Sequence, residues 1–222
     1  MGPVRVLIVD DHEVVREGLR AILEDEEGIE VVGEAGDGAE ALSIARQVTP
    51  DLVLMDINMP RMDGVEATRR MKSLFPATSV VVITVFDDEA HVIDAIRAGA
   101  AGYILKDCSR DLVVHTVKAV NAGAALLEPD LLRQALESVA SHPTQPAPEM
   151  TQGAETLTPR ELDVLRLIVD GLTNRQIASR LHLSEDTVKK HVQSVIAKLQ
   201  VSDRTQAAVK AVRTGIVGDL GR

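Results

Sequence analysis

Five short apolar runs, each followed by a stretch with helical spacing, constrain the N-terminal half of the chain more than any other feature. The runs are Val4–Val9, residues 31–32 with Ala35, Leu52–Met55, residues 80–83 and residues 103–105. They are rich in β-branched residues and mostly continuous rather than alternating, as strands buried on both faces should be. Amphipathic patterns follow them at about 13–25, 38–48, 64–75, 89–98 and 110–122. Five such units predict a parallel sheet with right-handed crossovers and helices on both faces, an α/β doubly wound fold.

The strand signal stops after residue 105. A short helix is expected near 130–140. Segment 138–156 then carries Pro143, Pro146, Pro148 and Gly153 among small and polar residues, with neither helical nor strand period. It reads as a linker, partly extended by its prolines. Beyond it lie four helical patterns, about 159–170, 174–181, 185–199 and 203–214, so a small all-α unit is expected. The predicted organisation is a first domain over 1–125, a short helix and linker over 126–156, and a second domain over 157–222.

Charge divides along the same line. The chain has a net charge of −10, but residues 1–137 hold 13 basic and 25 acidic side chains, whereas residues 175–213 hold 8 basic and 3 acidic. The acidic part suits a cation and the basic part suits phosphate. The one cysteine, Cys108, excludes an internal disulfide framework and a cysteine zinc site, and fits a reducing cytoplasm. No apolar run approaches the ~20 residues that span a bilayer, and the first residues are too short and wrongly flanked for a signal peptide.

In an open parallel sheet, ligands bind beyond the carboxyl ends of the strands. Here the first run ends at Asp10 and Asp11, the third at Asp56, the fourth at Thr84 and the fifth at Lys106. Clustered carboxylates raise one another's pKa unless a cation compensates them. Mg²⁺ fits, because it takes oxygen ligands and needs only one or two carboxylates beside water and phosphate. Lys106 adds a fixed positive charge and Thr84 a hydroxyl donor. Together they describe a site that stabilises a phosphoryl group in flight, with Asp56 as nucleophile.

These residues carry a resemblance. Val9-Asp10-Asp11-His12, the run from Met55-Asp56 through Asn58-Met59-Pro60 to Asp63-Gly64, Val82-Ile83-Thr84 and Gly102-Tyr103-Ile104-Leu105-Lys106-Asp107 resemble the receiver domain of two-component response regulators. The resemblance implies strand order 2-1-3-4-5 and phosphorylation of Asp56 by a sensor histidine kinase. It implies Mg²⁺ held by Asp11, Asp56 and the backbone carbonyl of Asn58, with Asp10 close by. Thr84 and Lys106 would contact phosphoryl oxygens, and Tyr103 would be the switch aromatic. Two positions depart from common receiver patterns. Val85 stands where Ala or Ser is frequent and is expected to restrict access to the site. Asp107 stands where a proline often follows the lysine, which leaves the geometry of that peptide open.

In the second domain, Thr158-Pro159-Arg160-Glu161 is a capping box with proline at the first helical position. Thr173 is expected to cap the next helix, and a tight turn at 182–184 leads to the longest one. Two short helices joined so closely match helix-turn-helix geometry. In the long helix Val188, Val192, Val195, Ile196 and Leu199 share one side, which should be core. The other side presents Asp186, Lys190, Gln193 and Ala197, flanked by Thr187, Lys189 and Ser194, as a major-groove helix requires. Charge alone leaves a solvated amphipathic face as the alternative. The longer match, including Gly171-Leu172-Thr173-Asn174 and the run from Leu183-Ser184 through Lys189-Lys190 to His191-Val192, resembles the LuxR-type helix-turn-helix. With the receiver, the whole chain is similar to the NarL/FixJ class of response regulators. That similarity implies a tetrahelical domain contacting double-stranded DNA through Thr187, Lys189, Lys190 and Gln193. It also implies an active homodimer joined through the last helix at Ala207, Ala208, Ala211 and Val212. Glu185 and Asp186 are read as favouring the helix N-terminus.

Three other readings remain open on sequence. A phosphatase with an aspartyl nucleophile would usually want an acid two residues later, where Asn58 stands. A DNA-binding protein with a receiver that is never phosphorylated is opposed by the complete site. A sensor of a small apolar ligand is opposed by the doubly wound first half and by only three aromatic residues in the chain.

Overall fold

The computed structural model describes residues 2–85, 89–122, 136 and 157–217. Its first half is a five-stranded sheet in the order β2-β1-β3-β4-β5. The strands are β1 (Val4–Val9), β2 (Ile29–Ala35), β3 (Leu52–Met55), β4 (Ser79–Thr84) and β5 (Gly102–Leu105), and every adjacent pair is parallel. Five helices connect or follow them: α1 (Glu13–Glu24), α2 (Gly38–Val48), α3 (Gly64–Leu74), α4 (Glu89–Ala98) and α5 (Arg110–Asn121). The continuous apolar runs are the fully buried strands, since every residue of β3 and β4 is buried. Edge strand β2 is longer than its apolar residues indicate. Its pairing begins at Ile29 opposite Val4, and its middle is only half-buried. One apolar layer lies under α1 and α5, built from Val6, Ile8, Leu54, Ile83 and Val117. Another lies under α2 and α3, built from Leu7, Val9, Val53, Met55 and Met71.

The helix ends follow from capping chemistry. Asp37, Asp63 and Ser109 accept backbone N–H groups of α2, α3 and α5. Asp37 is buried, and its carboxyl is held below the usual range, chiefly by the N–H of Glu40 and also by Arg61.

The second half contains α6 (Pro159–Val169), α7 (Asn174–Leu181), α8 (Glu185–Leu199) and α9 (Arg204–Thr214). Both α6 and α7 start with a complete capping box, at Thr158/Glu161 and Thr173/Gln176. The expected start of the last helix at 203 is instead its cap, because Asp203 has extended backbone and accepts from Gln206 N–H at 2.9 Å. The expected helix near 130–140 and the linker over 138–156 lie outside the described residues apart from Leu136, which is helical and buried.

Glu161 does more than cap. It accepts from Ser194 Oγ at 2.6 Å and from Lys198 Nζ at 2.9 Å, which ties α6 to α8. Burial opposes its charge, but these bonds and those from Thr158 hold its pKa at about 2, below the ordinary 4.5. A depressed carboxyl pKa stabilises the fold above the unfolded value, and that stability is lost as pH falls from about 4.5 toward about 2. Glu161→Gln is therefore expected to cost about 2 kcal/mol at neutral pH after allowing for nearby solvent. The difference from wild type should shrink below pH 4.5, as read by urea unfolding at each pH.

Candidate functional site

Sheet register assembles the site. Val9 pairs with Met55 and Thr84 with Leu105, so the next residues, Asp10, Asp56 and Lys106, emerge at one edge beside Thr84. Asp10, Asp56 and Thr84 are buried. Lys106 Nζ lies 2.6 Å from Asp10 Oδ2 and 3.0 Å from Asp56 Oδ2. One ammonium thus holds two carboxylates that repel each other. Burial pushes Asp56 above the usual carboxylate range, while Lys106 pulls it back. Burial would lower Lys106, but its bonds to Asp10 and Asp56 outweigh that and raise it.

Asp10, Asp11 and His12 each offer a ligand atom within 4.8 Å of one another. The carboxylate oxygens are the hard donors that Mg²⁺ prefers, so Asp10 and Asp11 fit such an ion. His12 was not singled out by sequence reasoning. Its Nδ1 sits 2.7 Å from Asp11 Oδ1, and its backbone N–H donates to Asp10 Oδ1 at 2.9 Å. Asp56 stands outside this trio and faces Lys106. Asn58 is exposed on the loop after β3. Arg61, with φ +65°, anchors that loop by donating from Nε to Asp37 Oδ2 at 2.7 Å. Tyr103 is half-buried and packs against two apolar clusters, one beneath α4 and one reaching into the second domain. Val85 is 70% exposed beside the site, and the Lys106–Asp107 peptide is trans.

Gly64 explains how the backbone at Asp56 is fixed. Its N–H donates to the carbonyl of Ile57 at 2.8 Å, and a Cβ here would fall 1.8 Å from the carbonyl oxygen of Asp56. No side-chain rotation relieves a backbone clash. Gly64→Ala is expected to cost about 3 kcal/mol or more in urea unfolding and to displace Asp56.

In the second domain the expected reading face of α8 is open. Lys189, Lys190 and Gln193 are exposed and Thr187 is half-buried, while Val188, Val192, Val195 and Leu199 are buried behind them. Asp186 is exposed and lies 3.6 Å from Lys189 Nζ, which accords with a helix-start role. Ala207, Ala208 and Ala211 are fully buried within this one chain, and Val212 is half-buried. Arg204, also buried, donates to Asn174 Oδ1 at 2.7 Å and to the carbonyl of Leu172, fastening α9 to the start of α7. Among the described residues no helix is long and apolar enough to cross a membrane.

Comparison with known proteins adds to this geometry. Residues 6–118 match the response regulator receiver domain, and residues 155–211 match the bacterial regulatory proteins of the luxR family. The chain is 42% identical over 219 residues to the uncharacterised transcriptional regulatory protein YhcZ of Bacillus subtilis, covering 99% of this chain and 100% of that one. It is 40% identical to the transcriptional regulatory protein LiaR of the same organism, over 96% of this chain and 99% of that one. The receiver domain of a response regulator from Mycobacterium tuberculosis superimposes with a TM-score of 0.52 at 40% identity, covering 53% of this chain and 95% of that one.

Proposed function

The chain belongs to the two-component response regulators that join a receiver to a LuxR-type DNA-binding domain, and from that premise we propose that Asp56 is its phosphoryl acceptor. The observation that carries the proposal is Lys106 bridging Asp10 and Asp56 at the strand ends. The donor is a phosphohistidine of a sensor kinase. An oxygen of Asp56 bonds to phosphorus as the P–N bond breaks; the bonding pair stays on the ring nitrogen, and the histidine leaves as neutral imidazole with the proton already on its other ring nitrogen or one taken from water. Asp10, Asp11, Asp56 and the Asn58 carbonyl would hold Mg²⁺, which when bound offsets charge on the phosphoryl oxygens. Lys106 and Thr84 supply the remaining contacts. Gly64 and Arg61 fix the loop that carries Asn58.

The receiver spans 1–125 and the DNA-binding domain 157–222 in this reading. Thr187, Lys189, Lys190 and Gln193 contact double-stranded DNA, and phosphorylation favours a homodimer that involves α9. Two reading helices then lie about one helical turn apart, so a pseudo-palindromic target is expected. Log affinity should fall with log salt by about 0.9 per phosphate contact, in a titration of duplex against salt. An affinity independent of salt would remove the DNA contacts from the proposal.

The deciding experiment is an intact mass after incubation with Mg²⁺ and acetyl phosphate or phosphoramidate. A gain of about 80 Da that disappears when Mg²⁺ is chelated is the expected result. If small donors and a histidine kinase both leave the mass unchanged, the receiver does not signal by phosphate.

A further inference from the structure

Asp10 is the first residue past the end of β1, and its backbone is held from two sides. Its N–H donates to the carbonyl of Ala35 on β2 at 3.1 Å, at the end of the ladder. Its own carbonyl has passed the ladder and needs another donor. Arg16, in the first turn of α1, supplies one from Nη1 at 2.7 Å. The same guanidinium donates from Nε to Glu34 Oε2 on β2 at 3.3 Å. The other oxygen of Glu34 accepts from Arg20 Nε, one turn further along α1. In the sheet Glu34 stands opposite Ile8, just before Asp10. One carboxylate on the edge strand thus holds the arginine that holds the Asp10 carbonyl.

Helix chemistry does not ask for this arrangement. A cation in the first turn meets the positive end of the helix dipole. Arg16 and Arg20 repel each other across one turn of the same helix. The layer beneath α1 is otherwise apolar, built from Leu19, Leu23, Val6 and Ile8. The Arg16 and Glu34 side chains are only 18% and 25% exposed, so both give up water to meet. What the pair achieves is geometric. A peptide unit is planar, so a fixed Asp10 carbonyl fixes the plane that leads into Asp11. Within the same turn Asp10 Oδ1 accepts the N–H of His12 at 2.9 Å. His12 gives α1 no side-chain cap, so the bond from Arg16 is a side-chain tie between the start of that helix and the Asp10–Asp11 turn.

We infer that Arg16, held in place by Glu34, is a positioning residue for the metal turn: through the Asp10 carbonyl it sets the peptide that aims Asp10 and Asp11 at Mg²⁺. This role rests on the reading of those two carboxylates as Mg²⁺ ligands. Partners that orient metal ligands from outside commonly carry about tenfold or more in metal affinity. Charge acts in the opposite sense here. Removing a cation near the site, and leaving Glu34 without its partner, favours a divalent cation by Coulomb's law alone. A weaker hold on Mg²⁺ after loss of Arg16 therefore reports lost geometry, not lost charge.

Titration calorimetry of the full chain with Mg²⁺, without phosphoryl donor or DNA, tests it. Arg16→Met keeps an apolar stem and removes the guanidinium. It should raise the Kd for Mg²⁺ about tenfold. Should Arg16→Met not fold by circular dichroism, Arg16→Ala decides, since alanine is the best helix former. Urea unfolding in chelator fixes the conditions under which each variant is fully folded before Mg²⁺ is added. A folded variant whose Kd is unchanged or tighter overturns the positioning role, whatever its urea midpoint, and leaves Arg16 as a fastener of α1 onto β2. A wild type that binds no Mg²⁺ removes the metal reading and the positioning role together. A wild type that binds, beside a variant that binds equally well, removes the positioning role alone. Since no phosphoryl donor is present, neither outcome depends on whether Asp56 accepts a phosphoryl group.

Discussion

Asp56→Asn is expected to abolish the gain of about 80 Da that Mg²⁺ and acetyl phosphate produce in the wild type, while leaving the chain folded. The amide has nearly the shape of the carboxylate but is a far poorer nucleophile. Its effect on stability is the sum of two opposed terms. The wild-type carboxyl is buried, and its pKa is pushed up by that burial, so a neutral amide relieves a desolvation cost. Against this, Lys106 loses its partner at 3.0 Å but keeps Asp10 at 2.6 Å. The net change in unfolding free energy should stay within about 1 kcal/mol. Intact mass and a urea melt on the same sample separate lost chemistry from lost fold. A gain that persists in the variant would move the acceptor to another side chain, with Asp10 and Asp11 the nearest candidates.

The site was legible because a parallel sheet places its ligands at predictable points in the chain. Once Val4–Val9, Leu52–Met55 and residues 80–83 are read as buried strands, the polar residue after each is committed to one edge. Capping was legible for a similar reason. The partner of Thr158 is three residues away, at Glu161, so the motif is local. What stayed hidden depends on residues distant in sequence or on backbone that side-chain type does not encode. Arg61, Thr49, His182 and Gln200 adopt positive φ without being glycine. Edge strand β2 extends back to Ile29 because β1 offers it partners, not because its own pattern demands it. His12 meets its neighbour Asp11 through a side-chain contact that no periodicity describes. Lys72 sits on α3, and nothing in its local spacing points to Ser202 and Asp203 of the second domain, which it meets. The burial of Ala207, Ala208 and Ala211 was likewise invisible, since small residues suit an intermolecular face and a tight internal one equally well.

Lys106→Met should be the most destabilising change among the charged side chains of the site, by about 3 kcal/mol in urea unfolding at neutral pH and low divalent cation. Methionine keeps most of the apolar stem, so the loss is electrostatic rather than a cavity. Asp10 is fully buried and Asp56 nearly so, and both turn toward the same ammonium. Without it, two carboxylates face each other in a poorly solvated pocket, and one must take up a proton or draw in another cation. Two consequences distinguish this account from general damage. Mg²⁺ should stabilise Lys106→Met more than wild type, because the ion would then replace the missing charge rather than add to it. Adding Asp10→Asn should recover part of the loss, giving a coupling of about 1 kcal/mol or more in a double-mutant cycle. Independent, additive effects of the two substitutions, with no preferential response to Mg²⁺, would show that Lys106 does not stabilise the fold through its pairing with Asp10.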